Sequence, residues 1–67
     1  MEERLLTIDQ VAARLNVVRR TVERHLLKLK ARGLQEVGLG TRSIRFREAS
    51  LDNMIKRAAE REEKLFS

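Results

Sequence analysis

Between residues 7 and 29 two short amphipathic segments meet at a tight polar break, and this junction constrains the fold more than any other feature of the 67-residue chain. Thr7 and Gln10 have capping-box spacing: the hydroxyl can accept from the backbone N–H three residues on while the amide side chain reaches back to the Thr7 N–H. A helix is therefore expected from Ile8 to about residue 15. Its apolar positions Ile8, Val11, Ala12 and Leu15 fall on one face at 3.6-residue spacing, and the small Ala12 allows close approach of a second helix. Asn16 interrupts the pattern with a side chain that tolerates a left-handed backbone, so the chain can turn over residues 16–18 while Val17 fills the space between helices. A second helix is expected over 19–31. Val22, Leu26 and Leu29 make its inward stripe, Arg20, Glu23, Arg24, Leu27 and Lys28 point outward, and Gly33 suits its C-terminal end.

Downstream, the segments 34–37 and 43–46 alternate as short strands, with Ile44 and Phe46 on one side and Ser43 and Arg45 on the other. Gly38, Leu39, Gly40 and Thr41 between them are expected to supply a hairpin turn with positive φ at the glycines. A third helix is expected over about 48–65: Leu51, Met54, Ile55 and Ala58 form a stripe that closes the core, Glu48 complements the dipole in the first turn, and Glu60 pairs with Lys64 at i,i+4. Leu65 and Phe66 end the charged run as isolated apolar residues that either fray or dock on a neighbour.

Residues 5–55 resemble the small excisionase and MerR-type winged helix-turn-helix domains. The matching residues are Leu6-Thr7, Val11-Ala12, Leu15, Arg20-Thr21-Val22, the segment 38–42 with its glycines and Arg42, Ile44-Arg45-Phe46, and Leu51. Val18 and His25 depart from the pattern, standing where the family usually has a helix-capping serine and an apolar residue. The resemblance implies a mostly α fold with a small β-hairpin: a winged helix-turn-helix of three helices plus a wing over about 34–46, forming one domain across residues 1–67. Members of this group bind neighbouring DNA sites side by side, bend DNA and help a recombinase excise an integrated element; others regulate transcription or recognise DNA in phage packaging complexes.

The charge distribution supports a polyanionic partner independently. Residues 16–32 hold Arg19, Arg20, Arg24, Lys28, Lys30 and Arg32 against Glu23 alone, and residues 33–47 hold Arg42, Arg45 and Arg47 against Glu36. The segments on either side are each slightly acidic, so the whole excess of +5 sits on the second helix and the hairpin. Charge placed only for solubility has no reason to concentrate there, whereas charge that displaces counterions from phosphates does. At this size a single core is marginal and no cysteine is available for a disulfide, so packing must carry the fold. No apolar run is long enough for a signal peptide or membrane span, and cytoplasm or nucleoid is the expected location.

Catalysis is not expected. With one histidine, no cysteine and no triad of metal-ligand spacing, no cofactor or metal site is expected. His25 falls on the side shared with Val22 and Leu29 and reads as a packing residue. The second helix is expected in the major groove, with Arg20, Thr21 and Arg24 on bases or phosphates and Arg19 and Lys28 on flanking phosphates. Thr41, Arg42 and Arg45 of the wing complete the expected set, Arg42 entering the narrow minor groove or holding a phosphate. Double-stranded DNA is the expected partner, with an integrase or recombinase and head-to-tail self-association on DNA as further expectations. A protein-interaction module with a basic helix for an acidic partner is the alternative outside this class.

Overall fold

The computed structural model describes residues 4–40, 43–62 and 64. In chain order they form β1 (Leu5–Leu6), α1 (Ile8–Leu15), α2 (Arg19–Arg24), α3 (Leu26–Ala31), β2 (Glu36–Gly38), β3 (Ile44–Arg47) and α4 (Glu48–Arg61). The architecture is a winged helix-turn-helix: mostly helical, with a small antiparallel sheet ordered β1-β3-β2.

Both halves of the capping box are made. Gln10 N–H donates to the Thr7 hydroxyl at 3.1 Å and Thr7 N–H to the Gln10 side-chain oxygen at 2.8 Å, which fixes where α1 begins. α1 ends on Asn16, left-handed at φ 57°, where Asn16 N–H donates to Ala13 O at 3.1 Å and Val17 N–H to Ala12 O at 3.0 Å. These two bonds make a Schellman closure, and its apolar residue Val17 turns inward against the core. α2 starts without a side-chain cap because Val18 has no acceptor; Thr21 N–H bonds the Val18 carbonyl instead.

The second helix departs from the single 19–31 rod expected. It bends at His25, whose φ −108° and ψ 15° lie outside the helical basin, so that α2 and α3 are separate segments. The bend is not a rupture: His25 N–H donates to Thr21 O at 3.1 Å and its carbonyl accepts from Leu29 N–H at 2.9 Å. A weak helix former with a half-buried polar ring stands at that point of the inward stripe, and the backbone gives way there. α3 closes on a second Schellman motif. Gly33, at φ +123°, donates to Lys30 O at 3.1 Å, and Leu34 N–H to Leu29 O at 3.0 Å, which drives Leu34 into the core beside Leu29.

β2 begins at Glu36, because Leu34 belongs to the helix closure and Gln35 to a tether. Ser50 ties that segment to α4: its hydroxyl accepts from Gln35 N–H at 2.9 Å and donates to Arg47 O at 2.7 Å. In the hairpin Val37 faces Arg45 and Gly38 faces Ile44, with Leu39 N–H donating to Ser43 O at 2.7 Å. Neither Gly38 nor Gly40 has the positive φ expected of the turn. Gly38 is instead the last residue of β2, paired with Ile44. Ile44, expected half-buried with Phe46, is instead 45% exposed, as β3 carries it beyond the edge of the core.

β1 pairs Leu6 with Phe46 and Leu5 with Arg47, bringing the N-terminal segment across the wing. Leu6, Val11, Ala12, Val22, Leu29, Leu34, Phe46, Leu51 and Met54 form one buried cluster. α4 ends at Arg61, short of the expected residue 65, with Glu62 left-handed at φ 53°. Among the described residues past Ala58 none is buried, and acidic side chains at a helix C-terminus oppose the dipole, so Lys64 lies outside the helix and the expected i,i+4 pair with Glu60 is not a helical one. Leu65 and Phe66 lie outside the described residues.

Candidate nucleic-acid interface

The expected contact residues fall into three groups. Arg20 and Arg24 on α2 and Lys28 on α3 are exposed at four-residue intervals, and among the described residues none of them is ion-paired. Because the backbone bonds pass through His25, this spacing keeps the three cations in one row along the outer surface of the bent helix. Leu27, between Arg24 and Lys28 in sequence, is 82% exposed, an apolar group on an otherwise charged segment. The sequence pattern pointed it outward but gave it no task.

Arg19 and Arg45 form the second group. Arg19 Nε donates to Glu23 at 2.9 Å and its Nη1 to Asp9 at 3.4 Å, so it braces α2 against the start of α1. Arg45 is half-buried and donates to the Ile44 carbonyl at 2.9 Å. Both line a hollow of about 340 Å³ between α1, the bent helix and the wing, whose rim also holds Asp9 and Glu36. Charges of both signs meet there, unlike the row on α2 and α3. Thr21 is half-buried beside the row. Thr41 and Arg42 lie outside the described residues.

A further concentration of cations is not apparent from the sequence. Lys28 and Arg32, continuing the four-residue row, line a second hollow of about 340 Å³ together with Arg57 and Arg61 of α4. Arg57 and Arg61 are themselves four apart, a spacing visible in the sequence, but the acidic run around them conceals it. Phe46 is only 1% exposed, so this ring is not available for base stacking. Among the described residues no group of three or more His, Cys, Asp or Glu could hold a metal ion, and no helix is long and apolar enough to cross a membrane.

The sequence model of one family, described as the helix-turn-helix domain, matches residues 5–59. The chain belongs to this excisionase-like helix-turn-helix family. No curated protein and no solved structure matches it. The matched span runs from β1 into α4 and includes the turn at Asn16, the bent second helix and both hairpin strands. Helix-turn-helix domains are DNA-binding modules, and in this one the second helix carries Arg20, Arg24 and Lys28, which have no ion pair among the described residues.

Proposed function

We propose that this helix-turn-helix protein is a sequence-specific double-stranded DNA-binding factor of the excisionase type, acting as a recombination directionality factor that bends DNA. The observation carrying the reading is the row Arg20, Arg24 and Lys28, exposed and without carboxylate partners among the described residues, on the second helix of the motif. In this reading α2 enters the major groove, where Arg20 or Arg24 can bond a guanine edge through both guanidinium nitrogens and Leu27 can meet a thymine methyl. Thr21 adds a hydroxyl contact, and Lys28 holds a phosphate. Arg19 reaches phosphate only by exchanging its exposed pairs with Asp9 and Glu23, which are worth little in water. Thr41, Arg42 and Arg45 serve the wing, with Arg42 directed to the minor groove.

A single short helix and a single wing offer little surface with which to select one site in a genome, so the proposal includes cooperative, head-to-tail occupancy of neighbouring sites alongside an integrase or recombinase. The test is selection from a randomised duplex pool, followed by titration of duplexes carrying one or several copies of the recovered sequence. A recurrent sequence, affinity falling steeply with salt, and tighter binding to adjacent copies are expected. Independent binding to adjacent copies contradicts the excisionase mode and favours a transcription regulator. Absence of salt-dependent duplex affinity overturns the DNA reading itself.

A further inference from the structure

We infer that Leu27 is a specificity-determining residue, reading the methyl group of a thymine one or two base steps from the base pair that Arg24 contacts. This inference rests on the DNA-binding reading and deepens it: phosphate charge draws any duplex to the second helix, and Leu27 selects among duplexes.

Burial fixes the orientation of the bent helix on both sides of His25. Val22 on α2 and Leu29 on α3 are fully buried and Leu26 is half-buried, whereas Leu27, at 82%, is the most exposed large apolar residue among those described. It stands three residues after Arg24 and seven after Arg20, separations at which helical side chains share a face, and Lys28 follows it directly. All three cations are exposed and have no ion pair among the described residues. Arg24 and Leu27 are about 4.5 Å apart along the helix at about 1.5 Å per residue, against about 3.4 Å per base step, which sets the offset of one or two steps.

A lone exposed leucine is ordinary on a free surface. On a helix face pressed into the major groove it is not neutral, because it strips water from the base edges it covers and offers no hydrogen bond in return. Of the four bases only thymine presents a methyl group there, so thymine is the base an apolar side chain favours. The surroundings of Leu27 decide against a protein partner. The other large apolar residues that are exposed among those described are Val18, at the start of α2, and Leu39 and Ile44, on the hairpin. Ile44 opens into the hollow between α1 and the wing, which Leu27 does not line. Leu27 is therefore a single apolar group among cations, too small an area to anchor a protein but suited to a polyanion that carries isolated methyl groups.

The experiment changes protein and DNA together. In the duplex recovered by selection each thymine of the footprint is replaced in turn by deoxyuridine, which removes the methyl group and keeps the base pair and the O4 acceptor. The full chain and Leu27→Ala are titrated on every duplex at matched salt. At one thymine the full chain should lose about fourfold in affinity, the factor that burial of a methyl-sized group is worth. Leu27→Ala should bind the thymine and deoxyuridine duplexes alike, with an unchanged melting curve and salt slope, and Leu27→Met should keep the preference. Arg24→Ala should bind both more weakly and keep the ratio, because its contact is with another base pair.

Equal affinity of the full chain for thymine and deoxyuridine at every position, with Arg24→Ala still impaired, overturns the inference and leaves the DNA reading intact. A thymine preference that survives Leu27→Ala also overturns it, as does a selection that yields no recurrent sequence or one without thymine in the footprint. If Leu27→Ala loses cooperative occupancy of adjacent sites while single-site affinity and the deoxyuridine ratio stay unchanged, Leu27 belongs to a contact between protomers instead. If the unsubstituted chain binds no duplex, the DNA reading fails and the role of Leu27 with it.

Discussion

Where α1 meets α4, Arg14 reaches Glu48 and, at 3.2 Å, Asp52, while Arg4 lies 3.8 Å from Glu48; along α2 and α3, Arg20, Arg24 and Lys28 stand exposed with no carboxylate partner among the described residues. Residue types and exposures are similar on the two faces, and the difference lies in what opposes them. On the first face the cations follow helix C-terminal chemistry: Arg14 in the last turn of α1 meets Glu48 in the first turn of α4, each favoured by its own dipole. There arginine serves the fold. On the second face a row of like charges four residues apart is slightly unfavourable for an isolated helix, and a polyanion against it would relieve that cost. Arg19 stands between the two cases, lying next to the row but tied to Asp9 and Glu23.

Three substitutions probe that contrast through stability, in decreasing order of effect. Val22 is fully buried on the inner side of the same helix that carries the row, and Val22→Asp places an unpaired carboxylate there. A cost of about 3 kcal/mol or more should unfold most of so small a domain, seen as loss of helical circular dichroism. A native melting curve would mean that the inward and outward faces of α2 have been confused.

Gly33→Ala comes next. At φ +123° with the Arg57 guanidinium against it, the position should lose about 2 kcal/mol on gaining a Cβ, measured by urea denaturation. No loss would show that the Schellman closure of α3 is not rigid.

Arg14→Ala is expected to have the smallest effect, about 0.5–1 kcal/mol, because the pairs are partly exposed and only Glu48 is well shielded. Its melting temperature should fall by a few degrees while duplex affinity is retained, the converse of what the exposed row should show. A large affinity loss with unchanged stability would erase the distinction between the faces.

Some of this was legible in the sequence, and the reasons differ by element. The start of α1 is written locally, because a capping box is a contact over three residues. The turn at Asn16 and the closure at Gly33 are local in the same sense, each needing one residue that accepts positive φ. β1 was not legible: two residues carry no alternation, and Leu6 becomes a strand residue only because Phe46 is there to pair with it. The bend at His25 falls at neither glycine nor proline, so no breaker announces it. At the other end, the run after Ala59 looked like a continued helix on charge spacing alone, but spacing cannot supply the burial that α4 loses there.

For the candidate site, the sequence disclosed where the positive charge lies but not which charges are already spent. Asp9 and Arg19 are ten residues apart, and their contact depends on the angle between α1 and α2. Arg57 meets Gly33 only because α4 packs beside α3. Arg19 and Arg24 differ in the folded chain partly for a local reason, since Glu23 pairs with Arg19 at i,i+4, and partly for a tertiary one, since α1 brings Asp9 to Arg19 as well.

The most direct test of this division is to follow duplex affinity against salt for Arg24→Ala and Arg14→Ala, with the melting curve of each recorded in the same buffer. Arg24→Ala should weaken binding to the selected sequence by about 1–3 kcal/mol and melt like the unsubstituted chain. Arg14→Ala should melt earlier and keep both affinity and salt slope. Equal loss of affinity from the two variants, or none from Arg24→Ala, would contradict the assignment of DNA binding to the α2–α3 row.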